Sequence, residues 1–314
     1  MLIKHPRGVK CAVQRRNQAK RLGTTLLLLL ALLPLAGQDF AWWNAVHDWD
    51  GTTPWPNYIT LTPAFLGPNA LPVPEVRNGL LHSIPTLQLA GEVHFSRGDD
   101  TQNAWLDLNL PLFSDRASVS LQYVPLEYYR MDVATRDLRA ARDFDGKGTA
   151  LGDVYLGTHI QLLRDHARWP DVLLTFTLRT ASGNRLSAAR FTDTPGYYFD
   201  LSVGKSYAVT KKVSLRPHLM LGFYAWQTYR NDYFQNDALL YGVGVDLELG
   251  KMTVATALGG YSGYIGQGDR PVVYRLGVET RRGARVEYLG RVEWGLRDFP
   301  YRSLRVGVGL RLWD

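Results

Sequence analysis

Apolar and polar residues alternate singly through most of the chain after Thr86. In the first such run Leu87, Leu89, Val93 and Phe95 fall on one face and polar residues fall between them. Because successive side chains of a β-strand point to opposite faces, this pattern predicts strands with one apolar and one polar face. The chain contains about twelve such segments of roughly ten residues, the length that a tilted strand needs to cross a bilayer.

The connections between these segments alternate between long and short. Long or polar connections are predicted at 131–149, 181–196, 228–237 and 266–270, and tight ones at 114–116, 208–212, 250–251 and 281–283. A membrane barrel with short periplasmic turns and long outer loops has this alternation, whereas a soluble β-sandwich has no reason for it. We therefore predict an all-β fold, an antiparallel transmembrane β-barrel of about 12 strands over residues 86–314.

Aromatic residues at positions predicted to face outward lie at the predicted outer ends of the strands. They are Phe95, Tyr197, Phe199, Phe223, Tyr241, Tyr274 and Trp294. Aromatic rings are favoured at the boundary between membrane and water, so this pattern indicates an aromatic girdle at the outer interface.

Residues 38–85 have a different character. They contain Trp42, Trp43, Trp49 and Trp55 among many prolines, which remove backbone donors and disfavour regular sheet. We predict an ordered but irregular segment with one short strand at 58–62. So much apolar surface requires a partner, and we expect the segment to fold into the barrel lumen as a plug or to cap its periplasmic mouth.

The positive charge of the chain is concentrated at its beginning. The formal charge is +7, from 36 basic and 29 acidic residues. Residues 1–22 hold seven basic residues and no acidic one, so 29 basic residues remain to balance the 29 acidic ones. This balance argues against nucleic acid as a partner.

An apolar run of about ten residues, 26–35, follows that basic stretch, which is the organisation of a signal peptide rather than a membrane span. We predict a cleaved signal peptide over residues 1–37. A later start or twin-arginine export through Arg15 and Arg16 is the alternative. Cys11 is the single cysteine and lies in this leader, which excludes disulfides, thiolate metal sites and cysteine nucleophiles from the mature chain.

Charged and histidine side chains occupy the alternate strand positions that are predicted to face the lumen. The candidate lumen-lining residues are Glu92, His94, Asp107, Asp153, His159, Arg179, Arg216, His218, Asp246, Glu248, Arg275, Arg291, Glu293, Arg305 and Arg311. They could form a constriction that selects solutes by charge and size. They could equally form a paired network that fills the lumen, because buried charges require partners. The mixed signs suit both interpretations.

Two further groups carry chemistry. His94 and Ser96 have the His-x-Ser spacing of an outer-membrane phospholipase, but the flanking Phe95 and Arg97 do not match that enzyme, and the pair faces the lumen. The cluster of His47, Asp48 and Asp50 could bind a divalent cation or form a solvated loop. We predict no catalytic residue, no metal site and no cofactor.

Three short segments carry a family resemblance. They are Leu151–Gly157 (LGDVYLG), Leu178–Gly183 (LRTASG) and Gly196–Leu201 (GYYFDL). They resemble the barrel family associated with meta-pathway phenol degradation, which is similar to hydrocarbon-uptake barrels. The resemblance covers about one fifth of the chain and implies an uptake role, with no binding residue carried over.

The sequence therefore predicts an outer-membrane channel or transporter of a Gram-negative bacterium that passes a small solute, which the resemblance implies is apolar, amphipathic or aromatic. One alternative is a lipid-acting enzyme that uses Ser96. Another is a non-transporting surface barrel whose activity lies in the loops 131–149 and 181–196. Expected partners are outer-membrane lipid, the barrel-assembly machinery and a small solute.

Overall fold

The computed structural model describes residues 39–112, 115–280 and 285–313, so the predicted leader lies outside the described residues. The chain divides into two units, 1–42 and 43–314. In the first unit the Asp39 carboxylate accepts a hydrogen bond from Ala41 N at 2.9 Å, where helix α1 (Ala41–Val46) begins. Within the described ranges, no helix has the length and apolar composition of a membrane span.

The second unit is a closed antiparallel β-barrel. Its strands are β1 (Thr86–Ser96), β2 (Asp99–Pro111), β3 (Ala117–Met131), β4 (Lys147–Ala150), β5 (Tyr155–Leu163), β6 (Asp171–Arg179), β7 (Gly196–Gly204), β8 (Tyr207–Thr210), β9 (Val213–Gln227), β10 (Gln235–Leu249), β11 (Met252–Gly263), β12 (Val272–Thr280), β13 (Val286–Arg297) and β14 (Arg302–Arg311). The short β4 and β8 pair with β3 and β9. The 12 long strands form the wall, which closes where Thr86 of β1 pairs with Arg311 of β14. The predicted fold class is confirmed.

The burial of side chains in the wall is the reverse of that in a water-soluble protein. On β5, Leu156 and Ile160 are 45% and 41% exposed, whereas His159 and Gln161 are buried. The same alternation recurs on β6 and β7. An apolar exterior around a polar interior is the arrangement that a hydrocarbon layer stabilises.

The two ends of the barrel differ in their connections. The connections 132–154 and 180–195 lie at one end, and turns as short as Gly250-Lys251 lie at the other. By the rule for bacterial barrels the long connections are at the outer end, so β1 begins and β14 ends at the periplasmic end. Near the outer end, stacked outward-facing ring pairs join Phe199 to Phe223 and Tyr274 to Trp294, with centroids 5.8 and 5.6 Å apart.

Residues 43–85 run through the lumen from the outer end to the periplasmic end. The Trp43 indole donates to Ala140 O in an outer loop at 2.9 Å, and the Trp226 indole at the outer end of β9 donates to Leu61 O at 3.0 Å. Lower down, Gln161 donates to Gly79 O at 2.8 Å. The predicted strand at 58–62 is wrong, because a 3-10 turn (Trp55–Tyr58) leads into irregular chain there.

The hydrophobic core of the protein lies inside the outer half of the barrel. Ile59, Leu61, Leu66 and Leu71 of the N-terminal segment pack there against inward-facing aromatic residues of the wall. They are Tyr198, Tyr224, Trp226 and Tyr261 on the strands, with Phe299 and Tyr301 from the connection between β13 and β14. The proline-rich chain retains its carbonyl acceptors, so donors on the wall side chains satisfy them in place of a β-ladder.

Two outer loops fold inward over this core. The first carries helix α2 (Val133–Leu138), which is capped by Asp132, and buries Ala140 and Ala141. The second carries a 3-10 turn (Leu186–Ala188), and its Ala189 O accepts a hydrogen bond from Gly67 N at 2.9 Å. Both loops therefore contribute to the closure of the outer mouth.

Candidate functional site in the barrel lumen

An outer and an inner cavity lie in the described part of the lumen, around the N-terminal segment. The outer cavity holds about 770 Å³ of empty space, counted to its open mouth, and its apolar lining includes Pro72, Tyr123, Phe191, Tyr198 and Phe299. The inner cavity lies towards the periplasmic end and holds about 1410 Å³, counted to its open mouth. Its lining is polar and includes His82, Asp107, Ser120, His159, His218 and Asp246.

A belt of charges lies where the two cavities meet. We call it the charged belt, and its members are Glu75, Glu92, Glu293, Arg275, Arg291 and Arg305. Glu75, Arg275, Arg291 and Arg305 line both cavities. Glu75 comes from the N-terminal segment and the other five come from the wall. Five of these six residues were candidates from the sequence.

The ion pairs of the charged belt are close and shared. Arg275 Nε is bonded to Glu293, Arg305 Nε to Glu92 and Arg291 Nη1 to Glu75. Glu75 also lies 3.6 Å from Arg275 Nη1, and Glu92 lies 3.8 Å from Arg291 Nη2. Three positive and three negative groups therefore neutralise one another in the middle of the lumen.

One aromatic side chain fixes part of the belt. The Arg305 guanidinium lies over the Trp105 ring, 3.8 Å from its centroid, and Trp105 lines both cavities. A guanidinium on an aromatic face is held by cation–π attraction and loses freedom to rotate. Arg305 is therefore positioned from two sides, by Trp105 and by Glu92.

Asp153 and Arg179 face the interior next to the outer cavity but are tied into the protein. Arg179 Nη1 donates to Ala70 O at 2.9 Å and to Thr192 Oγ1 at 2.8 Å. The Asp153 carboxylate accepts from Gly183 N at 2.7 Å and lies 3.7 Å from Arg179. This pair therefore ties the N-terminal segment and the second outer loop to the wall.

Four predicted residues line or flank the inner cavity. His159 contacts Ser120 Oγ at 2.9 Å, Asp107 accepts from Gln122 at 2.7 Å, and Asp246 accepts from Asn78 at 2.6 Å. His218 lines the same space.

The remaining wall positions lie towards the periplasmic end. Arg216 donates to Asp171 at 2.8 Å and to Asn78 O at 3.0 Å, which ties the wall to the segment. Neither Glu248 nor Arg311 lines the two cavities described above. Glu248 is exposed and accepts from Ser214 Oγ at 2.6 Å, and Arg311 donates to Trp313 O at 3.2 Å.

His94 contacts a different serine from the one that its sequence spacing suggested. Its Nδ1 lies 2.7 Å from Ser303 Oγ on β14, and its Nε2 lies 2.8 Å from Asn103 Oδ1 on β2. Strand pairing places Ser303 directly opposite His94. Directly opposed residues on neighbouring strands are closer than residues two apart on one strand, so the sequence spacing to Ser96 was the wrong guide.

In the cluster of His47, Asp48 and Asp50, the Asp50 carboxylate has a local structural role. Asp50 accepts hydrogen bonds from the Thr53 hydroxyl and from the backbone N–H groups of Thr52 and Thr53, which lower the pKa of Asp50 to about 2. Within the described ranges, no group of three or more His, Cys, Asp or Glu residues could hold a metal ion.

An ion cluster near the outer end was not found from the sequence. Asp99 Oδ2 accepts hydrogen bonds from Arg139 at 2.6 Å, Arg190 at 2.8 Å and Tyr301 at 2.6 Å. Arg190 is also bonded to Glu127 at 2.7 Å. Arg139 and Arg190 belong to loops that fold inward, and no local pattern in a loop sequence indicates such a fold.

No protein-family model and no curated protein sequence matches the chain, so membership of the meta-pathway family stays a prediction. Among solved structures, the COG4313 outer membrane channel from Pseudomonas putida F1 is 13% identical with a TM-score of 0.51, over 77% of this chain and 97% of that chain. The KdgM porin in complex with disordered oligogalacturonate is 12% identical with a TM-score of 0.44, over 72% of this chain and 99% of that chain. The NanC porin is 12% identical with a TM-score of 0.45, over 72% of this chain and 100% of that chain.

At these identities the likeness to the channel from Pseudomonas putida F1 shows the fold alone, that of an outer-membrane β-barrel.

Proposed function

We propose that this protein passes a small solute across the outer membrane through its lumen, and that residues 43–85 are a plug that moves to open the path. The observation that carries the proposal is that Glu75, a residue of the segment, lines both lumen cavities. Displacement of the segment would join the two cavities into one passage. The apolar exterior of the wall supports a location in outer-membrane lipid, reached through the barrel-assembly machinery.

The way in which the segment is attached supports movement. The wall strands hold one another through continuous antiparallel ladders, whereas scattered side-chain bonds, such as those of Tyr261 and Gln161, hold the backbone of the segment. Each such bond contributes little net free energy because water can replace it. The segment can therefore leave without breaking the barrel.

The lining favours an amphipathic solute over a fully apolar one. The outer cavity offers aromatic and proline surfaces, but the charged belt and the polar inner cavity follow along the same path. A fully apolar solute would gain nothing in the inner half, since the carboxylates and guanidinium groups there are better solvated by water. Within the apolar, amphipathic or aromatic class that the resemblance implies, we propose an amphipathic member.

A reversible tether between the segment and the wall tests this proposal. A Cβ atom at Gly242 would lie 3.2 Å from Val76 Cβ, so a shift of a few tenths of an ångström brings the pair to the separation of about 3.5–4.5 Å in a disulfide. Expressed without residues 1–37, the chain has no other cysteine, so the V76C/G242C double variant forms a defined tether. In planar bilayers we expect the oxidised protein to be silent and the reduced protein to conduct.

The single variants V76C and G242C, treated with the same oxidant, are the matched controls and should conduct in both states. Equal conductance of the oxidised and reduced double variant would rule out a moving plug. Silence of every form, with the barrel correctly folded, would rule out passage through the lumen.

A second candidate function, hydrolysis, is favoured by one observation. Ser303, His94 and Asn103 form a continuous hydrogen-bonded series in which a hydroxyl, an imidazole and an orienting amide occupy the order that nucleophilic catalysis uses. His94 also lines the outer cavity. Covalent labelling by a fluorophosphonate of the wild type and of S96A, but not of S303A, would support this candidate. Absence of labelling of the wild type would rule out hydrolysis by this series.

A further inference from the structure

The charge balance of the charged belt depends on the plug. The wall alone contributes the guanidinium groups of Arg275, Arg291 and Arg305 and the carboxylates of Glu92 and Glu293. The third carboxylate belongs to Glu75. When the N-terminal segment leaves, Glu75 leaves with it, and the three guanidinium groups of the charged belt keep two of their three carboxylate partners.

Other buried arginines of the described lumen have acidic partners outside the N-terminal segment. Arg179 is paired with Asp153, Arg216 with Asp171, and Arg190 with Glu127. These pairs stay neutral whether or not the segment is present. The dependence on the plug is therefore a property of the charged belt.

Arg291 is the arginine whose compensation changes most. Its Nη1 is bonded to Glu75, whereas its two neighbouring wall carboxylates are already engaged, Glu92 with Arg305 and Asn103 and Glu293 with Arg275. Arg275 keeps Glu293 but would lose Val73 O and Pro74 O, which accept from its Nη2 and Nη1 at 2.6 and 2.9 Å. Departure of the segment thus frees adjacent donors on two guanidinium groups.

The position is open to a solute. The Glu75 side chain is 42% exposed and the Arg291 side chain 18%, and both border the two cavities. A carboxylate that arrives through either cavity therefore meets Glu75 at the point where it contacts Arg291. Planar guanidinium groups bind carboxylates through paired, charge-assisted hydrogen bonds, so an incoming carboxylate can form the bonds that Glu75 makes.

We propose that Arg291 and Arg275 form a binding site for the carboxylate of an anionic solute, and that Glu75 is an internal stand-in that occupies this site in the plugged state. A solute carboxylate takes the place of Glu75, which couples binding of the solute to release of the plug. The proposal deepens the proposed function, on which its transport role rests, by assigning the solute to the class of small carboxylates.

Binding of acetate to the full chain in detergent tests the site directly. Acetamide is the neutral control of the same shape, and saturation-transfer NMR on the methyl group reads out both compounds at low salt, where charge interactions are least screened. We expect E75Q, which removes the competing negative charge, to bind acetate more strongly than the wild type and not to bind acetamide. E75Q/R291Q should bind acetate about tenfold more weakly than E75Q, because a charged hydrogen-bond donor is lost.

The E75Q/R291K variant keeps the positive charge but loses the paired guanidinium geometry, so it should bind acetate with a strength between those of E75Q and E75Q/R291Q, which guards against a folding defect in E75Q/R291Q. Equal binding by wild type and E75Q, or equal binding of acetate and acetamide by E75Q, would overturn the proposed site.

Bilayer conductance of the same variants separates this inference from the proposed function. E75Q should shift the reversal potential in a salt gradient towards the anion, and an unshifted potential in a conducting channel would overturn the anion site alone. Acetate binding by E75Q in a barrel that never conducts would leave the site in place and remove the transport role.

Discussion

The Trp226 indole N–H donates to the main-chain carbonyl of Leu61 at 3.0 Å, across 165 positions of sequence. This bond joins the outer end of β9 to the N-terminal segment, and both residues are buried in the hydrophobic core of the lumen. It typifies the attachment of the plug, in which a wall side chain satisfies a carbonyl of an irregular chain.

Replacement of Trp226 by Phe should loosen the plug. The ring volume is largely kept, but Leu61 O is left without its donor, which costs about 1–3 kcal/mol for a buried polar group. We expect more frequent channel openings and faster proteolysis of residues 43–60 in the refolded protein. W169F is the matched control, because Trp169 is 65% exposed in a periplasmic turn and should leave both measurements unchanged. Equal behaviour of the two variants would contradict a role for this bond.

A tryptophan at Gly277 should obstruct the path. A Cβ atom there meets no atom closer than 3.8 Å, and Gly277 lines the inner cavity, so a large side chain can extend from it into the passage. We expect the conductance of the reduced V76C/G242C protein to fall severalfold when G277W is added. G91W is the control, since Gly91 is exposed on the outer face with no atom within 4 Å of an added Cβ. Loss of conductance in both variants would indicate general damage to the barrel.

Replacement of Asp99 by Asn should destabilise the outer half of the protein. The Asp99 carboxylate is buried and shared by Arg139, Arg190 and Tyr301, so neutralising it leaves buried guanidinium groups undercompensated, at a cost of about 3 kcal/mol or more. Urea unfolding in detergent should show the loss. D100N is the matched control, because the neighbouring Asp100 is exposed. Similar unfolding midpoints for both variants would contradict a stabilising role of this ion cluster.

The path of the segment makes a prediction about cell-surface exposure. Thr52 is exposed on the part of the segment at the outer end, whereas Ala208 is exposed at the periplasmic end. In intact cells, T52C should react with a membrane-impermeant maleimide, and A208C should react only after the outer membrane is permeabilised. The absence of other cysteines in the mature chain keeps this readout specific. Labelling of A208C before that of T52C would reverse the assigned orientation.

The barrel could be predicted from the sequence because its cause is local. Each strand alternates between a lipid-facing and a lumen-facing side with a period of two. The side that Leu156 or His159 faces can therefore be predicted from a few neighbouring positions. Loop lengths then separate the two ends. Five members of the charged belt were found for the same reason, since lumen parity is a property of each strand taken alone.

The sequence alone determined that the chain forms a β-barrel with a polar interior, and that residues 38–85 are irregular and seek an apolar partner. Only the tertiary structure decided what fills that interior. Glu75 meets Arg291, Ser303 meets His94, and Arg190 meets Asp99 across separations that no periodicity spans. These contacts depend on strand register, on loops that fold inward and on the path of a proline-rich segment, which are set by packing of the whole chain rather than by local residue preference.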